Sequence, residues 1–178
     1  TPSSAGNRKT WTWSGWVKRG NITLGGINHQ TLFSSGTSNA QIRWSSTADR
    51  IDIILGGGFA LYAKAVQRDC SSWYHIIVSF DTTQATNTDR VKIYFNGELA
   101  DRTWTNHPSQ NTNWGINNTE VHNLSRSAYD SNRHLDGYLA EVHFIDGQAL
   151  DHTSFGETGD YGEWKPIEVT GMTYGTNG

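Results

Sequence analysis

The chain has 178 residues, a formal net charge of −3 and an isoelectric point near 6.1. That length suits one domain with a real core, and the acidic balance excludes a nucleic-acid surface, since no basic cluster exceeds Asn7–Lys9. Apolar residues make up only 35%, yet there are eight Trp, seven Tyr and six Phe, so a few large rings must fill the core. No apolar run approaches a membrane span, and the opening residues carry no signal-peptide pattern. Thr1 in place of Met leads us to expect a processed or excised segment.

Helical periodicity is nearly absent, and strand-like segments recur with turn signals between them. Strands are expected at Trp11–Lys18, Thr31–Ser34, Ala40–Trp44, Arg50–Leu55, Ala60–Val66, Trp73–Phe80, Arg90–Phe95, Glu98–Thr103, Glu120–Ser125 and Gly137–Ile145. Ile51, Ile53 and Leu55 alternate, as do Tyr138, Ala140, Val142 and Phe144. Gly56, Gly57 and Gly58 mark a turn. In the segment after Trp73, Ile76, Val78 and Phe80 share one face, opposite His75, Ile77 and Ser79. Thr82–Asp89 is a solvated loop, after which Val91, Ile93 and Phe95 alternate with Lys92 and Tyr94. Asn96-Gly97 supplies the two positive-φ positions of a type I′ hairpin. Past Asp146-Gly147, "ALDHTSFGE" predicts one short helical turn capped by Asp151, and both chain ends are loop-like. The fold expected is an all-β, two-sheet antiparallel sandwich, under a tenth helical, with Ile76, Val78, Phe80, Val91, Ile93, Phe95, Val142 and Phe144 between the sheets.

Four segments, "WTWSGWVKRG", "CSSWYHIIVSFD", "VKIYFNGELA" and "HLDGYLAEVHFIDGQALD", together span Trp11 to Asp151. In order and spacing they resemble the concanavalin A-like lectin/glucanase jelly rolls in their laminin-G-like form. The wording "FIDGQAL", with "FGE" and "GTNG" downstream, is similar to the version in virion proteins of tailed bacteriophages. The resemblance implies a single lectin-like domain over residues 1–178, part of a longer virion polypeptide that extends past both ends of this chain. It also implies partners among other virion proteins, and a homo-oligomer, as virion parts generally are. The common form has Asp-Glu where this chain has Ala140-Glu141, which turns Glu141 from a candidate ion ligand into a hydrogen-bonding anchor near a sheet end.

Catalysis finds little support. The hydrolases of this superfamily carry Glu-x-Asp-x-x-Glu on one strand face, and the pattern is absent; the nearest approach, Glu141 and Asp146, points to opposite faces of a regular strand. There is no Gly-x-Ser-x-Gly elbow and no phosphate-cradling glycine loop. Cys70 is alone, so neither a disulfide nor a cysteine zinc site is available, and an incidental thiol is the simplest account. The histidines His29, His75, His107, His122, His134, His143 and His152 form no metal-binding pair, and His75 and His143 suit satisfied strand positions. No cofactor is expected. Calcium is the one ion with any motive, through loop oxygens in Asp81–Asp89 or Tyr129–Asp136, although neither has ordered ligand spacing and solvated loop acids are the better account.

A sugar asks for an aromatic platform beside amides on a rigid loop. The longest non-periodic stretch, Thr103–Glu120, offers Trp104, His107, Asn111, Asn113, Trp114 and Asn117, with Trp114 as stacking ring and Asn113 and Asn117 reading hydroxyls. The alternative is that Trp104 and Trp114 plug the sandwich end. One exposed ring flanked by amides favours the first; two buried rings favour the second. The sequons at Asn21, Asn117 and Asn123 carry no weight in a bacteriophage protein. Two functions therefore compete: a non-enzymatic virion domain in a tail fibre or surface decoration that attaches to host surface polysaccharide, and a purely structural capsid or tail module. A depolymerase would need an acid pair that the sequence lacks.

Overall fold

In the computed structural model, residues 1–22, 29–36, 39–56, 59–130 and 132–178 are described. The strands are β1 (Thr10–Arg19), β2 (Gln30–Ser35), β3 (Ala40–Trp44), β4 (Ile51–Gly56), β5 (Phe59–Ala63), β6 (Trp73–Asp81) and β7 (Val91–Phe95). They are followed by β8 (Glu98–Leu99), β9 (Arg102–Trp104), β10 (His122–Leu124), β11 (Gly137–Asp146), β12 (Gly156–Thr158) and β13 (Trp164–Pro166). A five-stranded sheet runs β11-β1-β6-β7-β8 and a six-stranded sheet runs β10-β2-β3-β4-β5-β9. The hairpin β12-β13 stands apart as a third, two-stranded sheet. Every pairing is antiparallel. Gly56 ends β4 at φ +80°; Gly57 and Gly58, assigned to a turn, lie outside the described residues.

The core fills the space between the two large sheets. Trp11, Trp13 and Val17 of β1 meet Ile42 and Trp44 of β3, Ile51, Ile53 and Leu55 of β4, and Ile76, Val78 and Phe80 of β6. Trp11 stacks on Phe80 with centroids 4.7 Å apart. Each buried indole removes about 200 Å² from water, worth roughly 5 kcal/mol of transfer free energy. Of the eight core residues expected, Ile76, Val78, Phe80, Val91 and Ile93 are fully buried. Phe95, Val142 and Phe144 are half-buried against the same cluster, because Phe95 ends its strand and β11 is a sheet edge.

Two expectations need correction. The segment Glu98–Thr103 is not one strand: β8 pairs with β7 in one sheet, and β9 pairs with β5 in the other. The chain turns the corner of the sandwich at Ala100-Asp101, held by Ala100 N–H on the Ile93 carbonyl and Lys64 N–H on the Asp101 carbonyl. The second correction is to β11. Trp16 pairs with Ala140 and Ser14 with His143, so Gly15 alone faces Glu141 and Val142. This is a β-bulge, with Glu141 in the left-handed region at φ +47°. It reverses the alternation: Leu139, Val142 and Phe144 pack inward, while Tyr138 stands 65% exposed outside.

The outer face of the five-stranded sheet carries a second cluster, in which Ile77, Tyr94, Ile145 and Phe155 pack with Leu150, Val169, Met172 and Tyr174. The capped turn expected after Asp146-Gly147 is there as a 3-10 turn, His152–Ser154, with Asp151 accepting from Thr153 N–H at 3.0 Å. The β12-β13 hairpin brings Trp164 down onto the sheet. Its indole N–H donates to His75 Nδ1 at 2.8 Å, and His75 Nε2 lies 2.9 Å from Ser14 Oγ. Nδ1 can accept only in the neutral ring, so the proton sits on Nε2 and is donated to Ser14. The His75 ring also stacks on Trp16, with centroids 4.8 Å apart and planes 2° from parallel.

Asn96 and Gly97 have φ of +47° and +85°, as a type I′ turn requires. A Cβ on Gly97 would lie 2.4 Å from the Trp164 ring. Gly97→Val should therefore cost on the order of 1–3 kcal/mol from backbone strain alone and displace Trp164; a thermal melt coincident with the parent would contradict this. His75 gives a pH dependence. Burial first, then the neighbouring His143 and His152, pull its pKa from 6.5 down to about 4. Between those values the unfolded chain binds a proton that the folded chain does not, so stability is present above about pH 6.5 and is lost as pH falls towards 4. Thermal melts from pH 7 to pH 4 should show a falling Tm, and a shallower fall in His75→Gln, whose amide accepts from Trp164 without titrating.

Candidate functional site

The loop that sequence reasoning favoured is firmly docked. Trp104 closes β9, leans on the core and lies 4.6 Å, ring to ring, from His107. Trp114 also leans on the core, and its carbonyl accepts from Arg8 Nε at 2.7 Å. Asn111 and Asn113 are exposed, with Asn111 N–H on the Thr82 carbonyl at 2.8 Å. Arg90 reaches the Pro108 carbonyl at 2.6 Å and Thr82 reaches the Thr112 carbonyl at 2.9 Å. Neither Trp ring stands free as a platform, so the geometry leans towards the plug.

Asn117 is 1% exposed and occupied within the chain. Its side-chain amide donates to the Asn7 carbonyl at 3.1 Å and to Asp146 Oδ1 at 2.6 Å, while its Oδ1 accepts from Asn177 at 2.9 Å. Its own backbone N–H donates to His122 Nε2 at 2.9 Å. Asp146 additionally accepts from the backbone N–H of Asn7 and of Asn177. One buried amide–carboxylate pair thus joins the start of β1, the long loop, the end of β11 and the C-terminal segment. A cavity of about 320 Å³ beside it is lined by Thr1, Pro2, Phe33, His122, Phe144 and Asn177. Glu141, by contrast, is exposed, so the two acids of β11 sit in different surroundings.

The calcium loops use their own oxygens. Burial works to raise the Asp81 pKa, but donors from Thr83, Gln84 and Thr10 outweigh it and hold the carboxylate below its usual range. Asp130 accepts from Asn132 N–H at 3.0 Å and faces Arg133 at 3.1 Å. Among the described residues no group of three His, Cys, Asp or Glu side chains gathers around a metal position.

A different surface offers what a sugar needs. Across the five-stranded sheet, Trp73 of β6, Lys18 of β1 and Tyr138 of β11 are directly paired in one rung. All three point away from the core, and Trp73 and Tyr138 are 40% and 65% exposed. The next rung on this face is His75, Trp16 and Ala140. Two strand spacings separate the outer rings by roughly 10 Å, with an ammonium between them. Aromatic faces pack on the C–H face of a sugar, Lys18 donates to hydroxyls, and exposed Glu141, three residues on from Tyr138, can accept from them. Strands hold such a row more rigidly than a loop does. Sequence reasoning missed it because Tyr138 was assigned to the inner face. Trp73, on the His75 side of its strand, was legible.

The family model described as the Concanavalin A-like lectin/glucanases superfamily matches residues 1–153, leaving β12 and β13 outside the match. No curated protein matches the sequence. Among solved structures, a heptameric pentraxin from Limulus polyphemus superposes with TM-score 0.56 at 13% identity, over 83% of this chain and 68% of that one. Domain 4 of an extracellular arabinanase from Geobacillus stearothermophilus, solved with arabinotriose, gives 0.55 at 16% identity, over 81% and 64%. A Trypanosoma rangeli sialidase, solved with a difluorosialic acid, gives 0.54 at 10% identity, over 81% of this chain and 21% of the enzyme. At such identities the likeness is one of fold.

The Asn117 network makes its own prediction. Asn117→Ala removes an amide from a buried carboxylate and puts a Cβ-branchless but non-amide residue at φ +68°; it should cost on the order of 2 kcal/mol and lower Tm by about 4–8 °C. An unchanged Tm would show that the network is not a structural tie.

Proposed function

Because the chain belongs to the Concanavalin A-like lectin/glucanases superfamily, we propose that it is a non-enzymatic glycan-binding domain whose binding surface is the Trp73–Lys18–Tyr138 rung. The single observation that carries this reading is the exposure of two aromatic rings flanking a lysine on a rigid sheet, in strict register. Rings gathered in one row are more informative than rings exposed singly, since contiguous apolar surface marks interaction sites. The lack of a Glu-x-Asp-x-x-Glu pattern supports a binding rather than a cleaving role.

The proposal extends to setting. The resemblance of "FIDGQAL", "FGE" and "GTNG" to virion proteins of tailed bacteriophages supports a domain of a tail fibre or surface decoration. There it meets other virion proteins, in a homo-oligomer, and attaches to host surface polysaccharide.

A glycan-array screen, run with and without calcium, tests this. Tyr138→Ala and Trp73→Ala should each weaken binding to the best array glycan at least tenfold, about 1.4 kcal/mol. Their melts should stay within about 0.5 kcal/mol of the parent, as exposed substitutions do. An empty array, or variants that bind as the parent does, would favour the purely structural module.

A further inference from the structure

The far end of the outer face of the five-stranded sheet holds a cavity of about 240 Å³. Ser79 of β6 and Lys92 of β7, directly paired, line it from the sheet together with Tyr94. Ala149–Asp151 lines it from one loop, where Leu150 N–H donates to Thr12 Oγ1 at 2.8 Å and Thr12 donates to the Gln148 carbonyl at 2.7 Å. The Asp81–Asp89 loop lines it from another, gripped by Arg90 through the Gln84 and Ala85 carbonyls, each at 2.9 Å. Strands and pinned loops hold its groups in place before any ligand arrives.

Two buried hydroxyls in this cavity are unspent. Ser79 is 7% exposed and Tyr94 8%, and neither hydroxyl makes a hydrogen bond among the described residues. Neither oxygen is sealed from solvent, and both residues line the cavity. Tyr94 packs its ring in the outer apolar cluster, so its hydroxyl is the part left to the cavity. Groups this buried can bond only to something that enters. Around them stand the carboxylates of Asp81, Asp89 and Asp151 and the ammonium of Lys92. Asp81 is occupied by Thr83, Gln84 and Thr10. Asp151 commits Oδ1 to Thr153 and keeps Oδ2, while the Asp89 carboxylate and the Lys92 ammonium make no hydrogen bond or ion pair among the described residues. The lining thus carries negative charge in excess, with free carboxylate oxygens beside free hydroxyls.

We propose that this cavity binds one amino-sugar residue by its free ammonium group, with Asp89 and Asp151 accepting from the ammonium and Ser79, Tyr94 and Lys92 reading the hydroxyls. An ammonium has three donors and no acceptor, and its bonds to carboxylates are stronger than neutral ones. A sugar hydroxyl both donates and accepts, which suits two hydroxyls and a lysine. The volume lies below the roughly 300 Å³ at which sites for drug-sized ligands begin, so a single ring enters. An acidic sugar would meet like charge. Ser79 lies roughly 20 Å along β6 from Trp73, and the site stands independently of the Trp73–Lys18–Tyr138 rung.

Isothermal titration at low ionic strength, with a glucosamine trimer, its N-acetylated counterpart, a glucose trimer and ethylamine as probes, decides the matter. The glucosamine trimer should bind, the other three should bind about tenfold more weakly or not at all, and added salt should weaken binding. Asp89→Asn, which disturbs no side-chain contact of the fold, should lower the affinity about tenfold or more. Tyr94→Phe, which removes only a hydroxyl, should lower it about fivefold. Failure of the glucosamine trimer to bind, comparable affinity for any of the other probes, or indifference to salt or to either variant would each overturn the proposal. Loss of binding in Tyr138→Ala with Asp89→Asn unaffected would place the sugar on the Trp73 rung and overturn it as well.

Discussion

At the middle of β11 two residues oppose one, and the sidedness of the molecule depends on it. Gly15 can face both Glu141 and Val142 because it has no side chain; a Cβ there would come within 2.9 Å of the Trp13 ring. Trp13 thus occupies space that a regular pair would have filled. Holding Glu141 at a left-handed φ costs about 1–2 kcal/mol. The shift it produces turns Val142 and Phe144 inward, and burying apolar side chains of this kind returns roughly 1.5–3 kcal/mol each when complete. Burial wins, even with both only half-buried, and the same half-turn leaves Tyr138 outside beside Lys18.

The outer face of that sheet is consequently divided. Where its residues are apolar, at Ile77, Tyr94 and Ile145, it is covered by Phe155 and the C-terminal segment. Where it carries Trp73, Lys18 and Tyr138 it is open. The border is the stack of Trp16, His75 and Trp164, fixed by one neutral imidazole that accepts from an indole on one side and donates to a serine on the other. One half of the sheet is thus covered by apolar packing, and the other leaves the aromatic–lysine row bare.

What was legible in the sequence was local. Ile51, Ile53 and Leu55, or Ile76, Val78 and Phe80, alternate within one unbroken strand, and the turn chemistry of Asn96-Gly97 and the cap at Asp151 needs only neighbours in the chain. A glutamate in a bulge looks like any other strand residue, so the exposure of Tyr138 was hidden. Strands β12 and β13 are three residues each, hold a glycine and a proline, and owe their place to Trp164 meeting Gly97 and His75 far back in the chain. Asn117 had the composition of a sugar-reading amide, but its partners, Asn7, Asp146 and Asn177, come from three distant segments. Jelly-roll family likeness, carried by four segments with fixed spacing, was readable across the chain; the proposed site, which depends on the bulge, was not.

The most direct measurement is a two-dimensional NMR titration of the eight indole N–H groups with the best glycan from the array. The account predicts that the Trp73 indole resonance shifts progressively with ligand while those of Trp104 and Trp114 stay in place. Shifts at Trp104 and Trp114 with Trp73 unmoved would contradict it and return recognition to the long loop.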